Sequence, residues 1–181
     1  LLELAVEEAP EDDRMCYYLG REYMYKSQWQ QCIDTLKKYL ELPKALWNEE
    51  RCAAMRWIAK SYGQLGQVHD AYAWYYRAIA EAPHMRDPFV EFAVLCYTQE
   101  DWPMTLLMAE EALNIKERSK TFVNAEQAWD HTADDLCAIA AFQMNLPEKA
   151  LDHAREALSL TPNDERLKNN IRLIEAAQPK R

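Results

Sequence analysis

Between residues 129 and 135 the chain reads Trp-Asp-His-Thr-Ala-Asp-Asp, which places Asp130, His131, Asp134 and Asp135 within six residues. Carboxylate oxygens beside an imidazole nitrogen can bind a divalent cation, and such a cluster could serve a small hydrolase. The same residue types are also selected at the start of a helix, where carboxylates cap free amide groups and face the positive end of the helix dipole. Capping is the simpler reading, so neither a metal nor a catalytic residue is assigned. His69, His84 and His153 are isolated, without a His-x3-His spacing or a nucleophile partner. With only Gly20, Gly63 and Gly66 available, no phosphate-cradling loop or nucleophile elbow can be built, and no cofactor is expected.

Cys16, Cys32, Cys52, Cys96 and Cys137 are odd in number and contain no Cys-x-x-Cys pair. They read as buried, reduced thiols acting as small hydrophobes, which points to a cytoplasmic compartment. A net charge of −9 argues against nucleic acid, because neutralising phosphates requires a basic face. No stretch approaches the roughly 20 apolar residues of a membrane span.

The scarcity of glycine and the absence of alternating β-branched runs argue against sheet and predict an all-α chain. Helices are expected over 1–9, 13–26, 29–42, 48–65, 68–82, 87–99, 102–116, 131–145, 147–160 and 163–177. Asp12, Asp101 and Asn163 are the expected N-caps. Pro83, Pro88 and Pro162 fall between helices, Pro103 and Pro147 in first turns, and Gly66 at a helix end. The tail 178–181 is expected to fray.

A spacing of small residues recurs: Ala71-x3-Tyr75-x2-Ala78-x4-Pro83 and Ala150-x3-Ala154-x2-Ala157-x4-Pro162. Aligned residues Ala5, Tyr39, Ala78, Ala112 and Ala157 are separated by 34, 39, 34 and 45 positions. Preceding helices carry Leu19-Gly20-x2-Tyr23, Ile58-Ala59-x2-Tyr62, Phe92-Ala93-x2-Cys96 and Cys137-Ala138-x2-Ala141. Length and pattern resemble the tetratricopeptide repeat, a 34-residue helical hairpin. Small residues at the crossing let helix backbones approach, and stacked neighbours bury a face that one hairpin cannot bury alone.

The resemblance implies a right-handed α-α superhelix forming one domain over 1–181. Its expected parts are a half repeat 1–9, repeats 13–46, 52–85, 86–119 and 131–164, an insertion 120–130, and a capping helix 165–177. A second, shorter insertion contains Trp47. The opening on a half repeat, without Met, reads as a piece cut from a longer protein.

In such repeats the first helices line a concave groove. Carried onto this chain, the groove positions place Arg14, Tyr17, Arg21, Tyr25, Arg56 and Lys60 in the first half, a basic and aromatic set suited to an anionic ligand. The alternative is that these arginines pair with Glu22, Glu49 or Glu50. A chaperone-type carboxylate clamp is not expected, because its positions hold Tyr17, Arg21, Trp57, Asp87 and Glu91, the last two of the wrong charge. Trp57, Trp74, Tyr23, Tyr62 and Tyr75 fall at packing positions. Trp47 and Trp129 do not, and are the expected insertion contacts.

Four stretches look more specifically like the tetratricopeptide region that follows the catalytic domain of bacterial family 2 glycosyltransferases. They are residues 13–23 (DRMCYYLGREY), 80–88 (AEAPHMRDP), 117–124 (ERSKTFVN) and 163–170 (NDERLKNN). This resemblance implies a non-catalytic scaffold that engages a protein, peptide or glycan acceptor or supports a homodimer. The alternative is a free-standing adaptor binding an extended peptide.

Overall fold

The computed structural model describes residues 1–177, and the tail 178–181 lies outside them. The described residues contain ten α-helices and no strand. These are α1 (Leu2–Glu8), α2 (Asp13–Tyr25), α3 (Trp29–Glu41), α4 (Asn48–Gln64), α5 (Val68–Glu81), α6 (Asp87–Thr98), α7 (Trp102–Asn114), α8 (Thr132–Gln143), α9 (Pro147–Leu160) and α10 (Glu165–Ala177). Every helix lies within two residues of its expected bounds. The chain divides into two compact units, 1–83 and 84–181.

The first unit comprises α1 and the hairpins α2–α3 and α4–α5, with α3 packed on α4. Its core is built from the small-residue pattern: Ala71, Tyr75 and Ala78 are buried along one stripe of α5, and Cys32, Leu36 and Tyr39 along α3. Gly20 has a packing role. A Cβ built on it would lie 2.3 Å from Leu36 Cδ2, so only glycine lets α2 close onto α3 here.

The second unit comprises the hairpins α6–α7 and α8–α9, with α10 packed on α9. Ala150, Ala154 and Ala157 repeat the buried stripe on α9, and Leu167 and Ile174 anchor α10. Between α7 and α8 the longer insertion folds back, ending in a short 3-10 turn over Glu126–Ala128 that rests against α6 and α8.

A second repeat is written in the backbone. Ser27, Gly66, Glu100 and Asn145 each have positive φ (57, 74, 56 and 58°) at the turn inside a hairpin. In each case the next amide reaches back to the fifth residue before it: Gln28 to Tyr23, Gln67 to Tyr62, Asp101 to Cys96 and Leu146 to Ala141. This is the Schellman closure, which satisfies carbonyls that a helix end leaves open. Gly66 announces it by residue type and Asn145 does so more weakly, whereas Ser27 and Glu100 do not.

Asp12 and Asp101 act as expected, accepting from Met15 N and Met104 N. The cap of α10 is Asp164 rather than Asn163, since its Oδ1 accepts from Arg166 N at 2.8 Å and Leu167 N at 3.3 Å. Pro88 belongs to the first turn of α6 and not to the connection before it, because that position needs no amide donor.

Candidate protein-interaction site

In the first unit, Arg14, Tyr18 and Arg21 follow one another at spacings of four and three on α2, which puts all three on one stripe. The Arg21 guanidinium sits 4.9 Å from the centre of the Tyr18 ring, and that of Arg14 sits 6.0 Å from it. One ring therefore orients two cations. Repeat-position reasoning passed over Tyr18, although the helical spacing of its two neighbours carries the signal.

Behind this stripe the polar and aromatic groups are buried. Tyr17 is 0% exposed, with its ring 5.4 Å from Tyr39 and 5.2 Å from Trp57. Burial, then the nearby Glu50 carboxylate, pushes the Tyr17 hydroxyl well above its ordinary pKa. Glu50 is itself buried, accepting from the Tyr39 hydroxyl at 2.9 Å and facing Arg14 Nη1 at 3.7 Å. Arg14 keeps about half of its side chain in solvent.

The expected groove residues thus separate. Arg14, Arg21, Tyr25 and Lys60 reach solvent, Tyr25 at 68% exposure. Tyr17 and Arg56 do not: Arg56 is 2% exposed and behaves as a core cation. Of the alternative ion pairs, Glu50 takes Arg14, whereas Glu22 pairs with Lys26. Trp47 is 38% exposed and donates from Nε1 to Glu49 at 3.2 Å.

The acidic cluster of the second unit disperses. Asp130 accepts from Thr132 N, the first amide of α8, at 2.8 Å, from the position before the N-cap His131. Asp134 Oδ1 lies 2.9 Å from His153 Nδ1, and Asp135 accepts from Arg166 at 2.7 Å and Asn170 at 3.4 Å. His153 Nε2 lies 4.0 Å from Glu110, which holds Lys149 at 2.7 Å. These contacts join α7, α8, α9 and α10 and leave the three clustered carboxylates, Asp130, Asp134 and Asp135, on different partners.

Trp129 is half-buried, with the Arg86 guanidinium 4.9 Å from its ring centre. Burial lowers the Arg86 pKa, against the opposing pull of Asp134, Asp130 and Asp87. Asp87, fully buried at the start of α6, accepts from Ala125 N and so pins the insertion. Sequence reasoning marked Asp87 as a clamp position of the wrong charge; its contact with Ala125 spans 38 residues and has no local signal.

No protein-family model and no curated protein matches this sequence. Among solved structures, a crystal structure of MamA is similar at 16% identity and a TM-score of 0.72, covering 89% of this chain and 85% of its own. The fold is that of tetratricopeptide-repeat proteins. The thermophilic tetratricopeptide protein TTC0263 of Thermus thermophilus is similar at 13% identity and a TM-score of 0.61, covering 97% of this chain and 87% of its own. A chain of the APC/C hetero-tetramer Cut9–Hcn1 is similar at 15% identity and a TM-score of 0.68, covering 97% of this chain and 32% of its own. At these identities the likeness concerns the fold. No helix among the described residues is long and apolar enough to cross a membrane.

Proposed function

We propose that the chain is a non-catalytic interaction scaffold that binds an extended, carboxylate-bearing segment of another protein on the α2–α4 face of its first unit. The single observation that carries this reading is the pair of guanidiniums, Arg14 and Arg21, held over one Tyr18 ring at the surface. Guanidinium groups already fixed in place lose little freedom on meeting a carboxylate, and Tyr25 adds exposed aromatic area. Lys60, exposed on α4, supplies a third cation. A similar fold occurring in a hetero-tetramer, Cut9–Hcn1, agrees with a partner-binding role. The test is affinity capture with the wild-type chain and with R21E/K60E. Loss of the captured partner with folding intact is expected, and equal capture by both removes the proposal. Arg56 is unsuitable for this test because its reversal would bury a carboxylate in the core.

A second reading attaches this scaffold to a glycosyltransferase as an acceptor-presenting or dimerising region. What motivates it is the resemblance of the four stretches, two of which, 80–88 and 117–124, come close where Asp87 accepts from the amide of Ala125, the residue after the second. The reading frame around the gene decides it: an α/β transferase domain encoded upstream supports it, and its absence disposes of it.

A further inference from the structure

The geometry points to a second binding surface, formed by the cationic edge of the insertion and fitted to a short acidic peptide segment. It goes beyond the α2–α4 face, shares no residue with it and does not depend on it. An open cleft of about 440 Å3 lies beside the start of the insertion, lined by His84, Asn114, Ile115, Lys116, Arg118 and Ser119 together with Glu117. That volume is within the roughly 300–1,000 Å3 of ligand clefts.

Charge sets the choice of occupant. Residues 116–122 hold Lys116, Arg118 and Lys120 against one carboxylate, Glu117, whereas residues 84–181 as a whole hold eleven Lys and Arg against seventeen Asp and Glu. Arg118 is committed to Glu126, with Nη1 and Nη2 3.3 and 2.5 Å from its two oxygens. Lys116 and Lys120 have no ion pair or hydrogen bond among the described residues, and both are exposed. Lys116 follows the end of α7, where a cation also suits the helix dipole, but Lys120 lies at no helix end.

The surface is firmly held. Asn124 Nδ2 donates to Ser119 O at 2.6 Å and Thr121 O at 3.2 Å, and Asp87 receives the amide of Ala125. Lys116 on the cleft lining, and Lys120 next in sequence to the lining residue Ser119, present ammonium groups suited to carboxylates, and the exposed Asn114 side chain adds a neutral donor.

The length of the occupant follows from screening. Charges interact over about 8 Å at physiological ionic strength, so a short acidic segment seated in the cleft meets chiefly Lys116, Lys120 and Arg118. A nucleic acid or an anionic bilayer extends much further and meets the net negative charge of the rest of the unit. A short peptide is therefore favoured over either.

The test titrates the full chain against a fluorescein-labelled octapeptide of alternating glutamate and serine, with its glutamine counterpart, single-stranded DNA and phosphatidylserine vesicles as parallel probes. The acidic peptide should bind, weaken with added salt, and lose roughly tenfold or more with K116E/K120E, as expected for reversal of two exposed charges. All titrations are run in the R21E/K60E background, so that carboxylates held on the α2–α4 face do not contribute to the signal. Circular dichroism of K116E/K120E and the milder K116Q/K120Q confirms that both fold. Equal binding of the glutamine peptide, no effect of either lysine variant, or lysine-dependent binding of DNA or vesicles without binding of the peptide would each overturn the proposal.

Discussion

Gly20 on α2 approaches Leu36 on α3 so closely that a single added Cβ would come within 2.3 Å of Leu36 Cδ2 and 2.5 Å of its Cγ. Leu36 is fully buried, so its side chain must give way within packed surroundings. Gly20→Ala gains about 1 kcal/mol of helix propensity and loses about 1–3 kcal/mol to overpacking, or more if α2 must shift. The expected outcome is a net loss of stability in urea unfolding. A gain would show that α2 and α3 separate without cost.

The four Schellman turns allow an experiment of opposite sign. A non-glycine residue in the left-handed region carries about 1–2 kcal/mol of strain, so Glu100→Gly should raise stability by about 1 kcal/mol and Gly66→Ala should lower it by a similar amount. Glu100 is exposed and Gly66 has no atom within 4 Å of a built Cβ, so packing does not confound either change. Thermal unfolding of the two variants, measured side by side, checks the pair.

Asp87 and Arg56 show what buried charge does in this chain. Asp87→Ala leaves the Ala125 amide without its acceptor, at a cost of about 1–3 kcal/mol, and should loosen the insertion. Faster hydrogen exchange at Ala125 and earlier proteolysis within 117–129 are expected, and unchanged exchange there would contradict the pinning role. Arg56→Glu should unfold the first unit, whereas Arg21→Glu, at the half-exposed Tyr18, should cost less than about 1 kcal/mol.

How much of this was legible in the sequence depends on the range of the interaction. Helix bounds and buried stripes follow from spacing within a dozen residues, which is why Ala71, Tyr75 and Ala78 reveal their hairpin. The left-handed turns at Ser27 and Glu100 are hidden, because neither serine nor glutamate favours that region, and Asn145 marks its turn more weakly than a glycine would. Site residues were harder still. Position numbers within a repeat identify which helix face a residue occupies, but Tyr17 and Tyr25 occupy that face with 0 and 68% exposure. The difference comes from Tyr39, Glu50 and Trp57, whose arrangement around Tyr17 is tertiary. The Asp87–Ala125 contact lay beyond any local pattern for the same reason.

The cysteines give a prediction in pH. All five are buried, and burial raises the Cys32 thiol from its ordinary 9.0 to about 11, with Cys16 and Cys137 also raised. At pH 8 about one Cys32 in a thousand is thiolate in the folded chain, so Ellman's reagent should label native protein slowly and all five thiols at once in denaturant. The linkage runs the same way. The folded state holds the Cys32 proton more tightly than the unfolded state, so this contribution is fully present below pH 9 and is lost as pH rises through about 11. Buried Tyr17 and Tyr39, both raised by burial, act in the same direction at higher pH. Urea unfolding from pH 8 to 11 should therefore show falling stability, on the order of 2 kcal/mol of it attributable to Cys32. Cys32→Ala should flatten the slope whatever its effect on the absolute value, and an unchanged slope would mean that the Cys32 thiol titrates alike in both states.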